Sequence, residues 1–176
     1  MYYRECVKTL SIFFTQADEM KKLMFISSTG GHLTELLQLA PMFQKYEYHI
    51  VTEKTKSNEN LVDEYGKDHV DYLVYGTKSH LIPYLFIFPF NILKSFFLFL
   101  KVKPDVVITT GTHTAVPMCR IAHMFGKKVV YIETFANSQT PTKAGPMIYP
   151  VADLFIVQWE SMLEVYPNAV YGGWIF

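Results

Sequence analysis

Cysteine is scarce in this sequence: Cys6 and Cys119 are the only two among 176 residues. They lie far apart, with no CxxC and no Cys/His cluster, so the chain has neither a disulfide framework nor zinc-ligand spacing, and a reducing compartment fits best. No metal site is expected. An excess of either charge is missing too. Lysine plus arginine and aspartate plus glutamate number 16 each, which leaves no global positive field to attract nucleic acid. There is no GxxxxGK[ST], no HExxH and no GxSxG, which disfavours P-loop NTPases, zinc proteases and serine hydrolases of the usual type. A signal peptide is not expected, because the N-terminus offers only the short apolar run Leu10 to Phe14, followed by polar residues and no small-residue cleavage site. Met20, followed by two lysines and a strand pattern, looks like a natural start. Residues 1–19 are therefore expected to be an extension outside the fold, and residues 20–176 one domain.

What the sequence does hold is an alternation. Apolar, β-branched runs ("KLMFISS", "YHIVTE", "DYLVYG", "PDVVITT", "KVVYIET", "DLFIVQW") are interleaved with helical patterns. That order predicts an α/β fold, a Rossmann-like parallel sheet flanked by helices. A first helix is predicted from about His32, with Leu33, Leu36, Leu37, Ala40 and Phe43 on one face and Pro41 ending or kinking it. A second is predicted from about Thr114. Residues 54–67, "KTKSNENLVDEYGK", read as a polar, solvent-facing connection.

Three short segments each follow a predicted strand directly: Thr29-Gly30-Gly31-His32, Thr110-Gly111-Thr112-His113 and Glu133 to Ser138, which includes Asn137. Ligands of open parallel sheets bind beyond the carboxyl ends of the strands, so all three are expected to line one cleft. Glycines there permit a tight turn and close backbone approach, and a phosphate or a charged sugar-linked group is the natural guest. His32, at a helix start, either serves as a general base with one ring nitrogen free or hydrogen-bonds a neighbouring loop. His113 either contacts ligand or braces its loop. His123 and Cys119 read as structural. Glu53 closes the second strand about twenty residues beyond the glycines, where an acidic residue would hold a ribose, yet the GxGxxG spacing is absent; a surface glutamate closing a strand explains it equally well.

The segment "LIPYLFIFPFNILKSFFLFLKVK", Leu81 to Lys103, departs most from a soluble composition. On a helix, Asn91, Lys94, Ser95 and Lys101 form one narrow polar stripe, with large apolar side chains on nearly every other side. A membrane span is rejected: it would put the strands "DYLVYG" and "PDVVITT" on opposite sides of a bilayer, where they could not share a sheet. The preferred reading is a helix packed on the sheet that dips Phe86, Phe88, Phe90, Phe96 and Phe97 into lipid, with Lys94, Lys101 and Lys103 favouring an anionic surface. The alternative is a buried core helix.

Together, "STGGHLTELLQL", "TTGTHTAVPMCRIAHMFGKKVVYIET" and "YPVADLFIVQWE" resemble the small acceptor-side subunits of two-component glycosyltransferases in bacterial capsule and exopolysaccharide assembly. These are similar to the membrane-docking subunit of the eukaryotic enzyme that adds the second GlcNAc to dolichol-linked chitobiose, and to the N-terminal half of the peptidoglycan GlcNAc transferase that makes lipid II. The resemblance covers roughly Met20 to Phe176. It implies half of a GT-B glycosyltransferase, docked peripherally at the cytoplasmic face of the plasma membrane and holding a polyprenyl-diphosphate-linked sugar acceptor. A separate donor-binding subunit would carry the UDP-sugar, with no tightly bound cofactor on this chain and little or no activity without the partner. His32 maps onto the proposed catalytic base of the lipid II enzyme. Glu133 becomes a sugar ligand beside Asn137, a rival base, or an acceptor for a neighbouring helix's amides, and the backbone around Gly30, Gly31, Thr110, Gly111 and Thr112 would hold the diphosphate or approach the donor from across the cleft. The C-terminal "YGGWIF" is either a last strand tucked into the sheet or a sticky tail, and the resemblance favours a partner interface at Trp174, Ile175 and Phe176. A non-catalytic membrane adaptor that activates a transferase, and a free-standing nucleotide-binding protein, are the competing readings.

Overall fold

A computed structural model describes Leu10 and residues 21–76 and 81–175, the side chains of residues 81–83 excepted. In chain order the elements are β1 (Lys22–Ser27), α1 (Gly31–Leu37), a 3-10 turn (Ala40–Gln44), β2 (Glu47–Glu53), α2 (Leu61–Tyr65), β3 (Val70–Leu73) and α3 (Leu81–Val102). They continue with β4 (Val106–Thr109), α4 (Ala115–Met124), β5 (Lys128–Ile132), α5 (Gly145–Ile148), β6 (Leu154–Val157) and β7 (Val170–Tyr171). The seven strands form one sheet in the order β3-β2-β1-β4-β5-β6-β7, and every neighbouring pair is parallel. Six strands coincide with the apolar runs of the sequence. The short edge strand β7 has no apolar run to mark it.

The near-continuous apolar character of the central strands follows from burial on both faces. Side chains alternate across a strand, so Met24 and Ile26 of β1 join one core cluster with Val107, Leu98, Phe99 and Met118, while Leu23 and Phe25 join another with Leu36, Ile108 and Val130. The helices α3 and α4 thus cover one face and α1 the other. Pro41 lies at the start of the 3-10 turn, where it ends α1 as expected. Leu10, also fully buried, belongs to the second cluster. That corrects the expectation of an extension wholly outside the fold for at least this residue; the rest of 1–19, and Met20, lie outside the described residues. The polar stretch 54–67 contains α2, and its Asn58 is buried, donating to the Glu53 carbonyl at 2.8 Å and accepting from the Thr55 amide at 2.9 Å.

The long helix α3 is turned the opposite way from an ordinary amphipathic helix. Its inward stripe is Asn91, Ser95, Leu98 and Val102, all buried, whereas Phe86, Phe90, Leu93, Phe97 and Leu100 recur at three- and four-residue spacing on the exposed face. Asn91 explains the polar part of that inward stripe. Its amide accepts from the Val74 N–H at 3.0 Å and donates to the Val74 carbonyl at 2.7 Å, satisfying backbone just beyond the edge strand β3. Residues 84–102 are long and apolar enough to cross a membrane by length and composition, with a mean hydropathy of 1.8. Yet β3 and β4, which flank the helix, lie in the same sheet, so a span is incompatible with the fold.

Candidate functional site

In this strand order, the connections from β1 and β4 run to opposite sides of the sheet. A crevice opens where they diverge, at the carboxyl ends of the two central strands. Gly30 turns β1 into α1 with φ of 75°, and Gly111 follows β4 with φ of 99°; an L side chain rarely adopts either value. The space above Gly30 and Gly31 is open, while a Cβ on Gly111 would lie 3.6 Å from the His32 ring.

His32 is held by the second loop. Its Nδ1 lies 2.8 Å from the Thr110 carbonyl, and the Thr110 hydroxyl donates to the His32 carbonyl at 2.7 Å. A carbonyl can only accept, so Nδ1 carries the proton and Nε2 is the lone-pair nitrogen of the neutral ring. The two alternatives for His32 are thus one arrangement: bracing by a neighbouring loop is what leaves the other nitrogen free.

A cavity of about 420 Å³ lies between the loops, with Ser28, Thr29 and His32 on one side and Thr112 and His113 on another. Glu53, Tyr75 and Gly76 line it as well, and its remaining wall is Thr142, Lys143 and Ala144. His113 makes ring contacts with Tyr84 and Phe88 of α3, so it meets both the cavity and the long helix.

Several expected site residues stand elsewhere. Asn137 does not line the cavity. Glu133 is 1% exposed, and its carboxylate accepts from Tyr131, Thr142 and Tyr166 hydroxyls and from the Thr134 amide. Burial raises its pKa, with Thr142 and the Thr134 amide opposing. Glu133 therefore braces the wall that Thr142 presents and does not itself line the cavity, as a buried hydrogen-bond acceptor would. Thr110 is buried and directs both its hydroxyl and its carbonyl to His32, so it positions that ring. The Gly111 N–H donates to the Thr109 hydroxyl at 2.9 Å and is unavailable to a diphosphate.

The long helix and the C-terminus bring further corrections. Phe86, Phe90 and Phe97 are 76%, 52% and 59% exposed. Phe88, which contacts Tyr84 and His113, and Phe96, which contacts Phe125, are half-buried, so they do not belong with the lipid-facing set. Lys94 is half-buried, while Lys101 reaches Asp71 at 2.8 Å. Ile175 is fully buried in the second core cluster, and its N–H donates to Gln158, which corrects its expected place in a partner interface. Trp174 is half-buried, packs on Phe135 and Trp159 and lines a separate cavity with Glu160 and Tyr171. Phe176 lies outside the described residues. Cys119 is buried, which pushes its thiol up to about 12 and fits a structural role, whereas His123 is exposed.

The sequence reading misses one carboxylate, Glu35, and leaves another, Glu53, between a ribose ligand and a surface glutamate. Glu53 is 2% exposed, accepts from the Thr114 hydroxyl at 2.7 Å and lines the cavity. Burial raises its pKa, opposed by Thr114 and the Gly76 backbone, so the surface-glutamate reading is overturned. Its signal in the sequence was a charge at the end of an interior strand, after the apolar pair Ile50 and Val51 and then Thr52. Glu35, one turn beyond His32, is buried and accepts from the Thr134 hydroxyl at 2.9 Å and the Phe135 amide at 3.0 Å, tying α1 to the loop after β5. Burial raises its pKa too, with Thr134, Phe135 and His32 opposing.

The fold matches solved structures that each contain about twice as much chain. Acinetobacter baumannii MurG superposes with a TM-score of 0.64 at 17% identity, over 80% of this chain and 42% of that one. A UDP-GlcNAc 2-epimerase from Methanocaldococcus jannaschii, solved with UDP-GlcNAc and UDP, gives 0.63 at 17% identity over 88% and 45%. The chain is thus a Rossmann-like unit corresponding to one half of a GT-B architecture. Among sequence relatives, the human protein named UDP-N-acetylglucosamine transferase subunit ALG14 is 30% identical over 88% of this chain and 83% of its own length. The mouse protein of the same name is 29% identical over the same shares, and the Candida albicans one 26% identical over 86% and 77%. Residues 23–175 match the family described as oligosaccharide biosynthesis protein Alg14 like, and to that family this chain belongs.

Proposed function

We propose that this chain is the acceptor-side subunit of a UDP-GlcNAc-dependent glycosyltransferase, pairing with a donor-binding subunit and receiving a polyprenyl-diphosphate-linked sugar at a membrane surface. The observation that carries the reading is His32 Nε2, left free on the wall of a cavity that abuts an exposed apolar helix. In the reaction, a hydroxyl of the acceptor sugar attacks the anomeric carbon of the donor. The new C–O bond forms as the bond to the UDP oxygen breaks, and the hydroxyl proton passes to His32 Nε2. Lys143 brings a positive charge to the same cavity for the acceptor diphosphate. The donor stays with the partner, and no cofactor is bound tightly here.

Membrane docking rests on the outer face of α3. Leu85, Phe86, Phe90, Leu93 and Phe97 are each more than half exposed; at roughly 1.5 kcal/mol apiece on burial, their transfer to lipid suffices for reversible binding. The proposed setting is assembly of a capsular or exopolysaccharide repeat unit at the cytoplasmic face of the plasma membrane. Trp174, beside its aromatic cavity, is the proposed partner contact.

The test is to co-express the chain with its donor-binding subunit and assay UDP-GlcNAc transfer to a polyprenyl-diphosphate-linked sugar. His32→Ala is expected to lower turnover at least tenfold with the complex intact. Unchanged turnover in that variant would remove the catalytic reading and leave a membrane adaptor in its place.

A further inference from the structure

The wall of the cavity that holds His32 also presents a group that the proposed reaction does not use. Glu53 ends β2 with its carboxyl in the cavity lining, and it also borders a small pocket formed by Tyr84, Phe88 and Asn91 of α3. Such deep burial of a carboxylate calls for donors. Thr114 and the Gly76 backbone supply two, out of about four acceptor positions on its oxygens. Among the described residues no lysine or arginine forms an ion pair with it.

We propose that Glu53 reads the acceptor sugar, accepting a hydrogen bond from one of its hydroxyl or amide groups, and so determines which sugar enters the cleft. This rests on the transferase reading above. Charge fixes the orientation. A buried anion repels a diphosphate strongly where water is excluded, so the diphosphate belongs on the side of Lys143 and the uncharged sugar ring on the side of Glu53. Chemistry fixes the consequence: a site built around a hydrogen-bond acceptor discriminates against a sugar lacking the matching donor, because the acceptor is then left buried and unpaired. Thr114 holds Oε1 at 2.7 Å, which keeps the carboxyl pointed in one direction.

The experiment uses the complex with its donor-binding subunit and a sugar-diphosphate-lipid acceptor. The readouts are acceptor affinity by direct titration, KM for acceptor and donor, and kcat. Glu53→Gln is expected to raise acceptor Kd and KM at least tenfold while KM for UDP-GlcNAc stays within twofold. It should also narrow the gap between the preferred acceptor and one lacking a single sugar hydroxyl. Glu53→Asp keeps the charge but withdraws it by one methylene, and is expected to act in the same direction, which covers the case in which the glutamine variant fails to fold. A loss confined to kcat would make Glu53 part of the proton-transfer machinery and overturn the proposal. Folded Glu53→Gln or Glu53→Asp complexes with wild-type acceptor affinity would overturn it as well. A wild-type complex that neither binds nor glycosylates the acceptor would overturn the transferase reading and this one with it.

Discussion

Gly145 shows how tightly the wall behind the cavity is built. A Cβ at that position would stand 2.6 Å from Glu133 Oε2 and closer still to the Tyr166 hydroxyl, so Gly145→Ala must push apart a buried hydrogen-bonded cluster. Overpacking of this kind costs typically 1–3 kcal/mol, and a lowered urea midpoint should record it; an unchanged midpoint would mean that the cluster yields freely. Glu133 itself should show in the pH dependence. Its folded-state pKa is raised above 4.5, so the folded protein binds that proton more tightly than the unfolded chain does. The resulting stability is fully present below about 4.5 and is lost as pH rises through the folded value. Glu133→Gln cannot titrate and should flatten the fall in stability above pH 4.5, measured by denaturation at several pH values. Glu35 and Glu53 are shifted the same way, so some slope remains. Asp71 and Asp105 are lowered from 3.8, and the stability they add is lost only as pH falls below that value. Equal slopes for wild type and variant above pH 4.5 would contradict the assignment.

The helix α3 is the element whose composition and packing pull in opposite directions. Its polar residues Asn91 and Ser95 point inward, and among its described side chains seven large apolar ones, from Leu85 to Leu100, are exposed. Replacing Phe86, Phe90 and Phe97 together with serine should leave the fold intact, since their side chains are mostly solvated, and should abolish flotation with anionic vesicles. Retained flotation would show that the membrane contact lies elsewhere. Asn91→Leu should do the reverse. Leucine leaves the Val74 N–H and carbonyl without their partner, at a cost of up to about 1–3 kcal/mol for each group that water does not reach. Thermal unfolding is expected at a lower temperature, with vesicle binding by the surviving folded protein unchanged.

At the scale of the whole molecule, the C-terminus serves two ends at once. Ile175 is fully buried beneath the sheet and Trp174 stands half-exposed at an aromatic cavity. Ile175→Ala should therefore destabilise the isolated chain by about 2–5 kcal/mol, whereas Trp174→Ala, which removes half-exposed packing on Phe135 and Trp159, should cost less stability and weaken pull-down of the donor-binding subunit. If both variants melt alike and bind alike, the division between core and interface fails.

Much of this architecture was legible in the sequence. Strands buried on both faces must be apolar throughout, and the helices between them must carry a 3.6-residue stripe, so the order of elements could be read directly. The glycines marked the two loops at the switch point and named His32, because a strand-to-helix turn in the left-handed region leaves few choices of residue. What surrounds those loops was decided by the tertiary structure alone. Glu53, Glu133 and Asn137 all lie at or beyond strand ends and look equivalent along the chain, yet of the three only Glu53 lines the cavity. The fold encloses Glu133 in hydroxyls contributed by residues 131, 142 and 166. Local sequence carries no information about such distant partners, and they determine whether a carboxylate meets solvent, substrate or core.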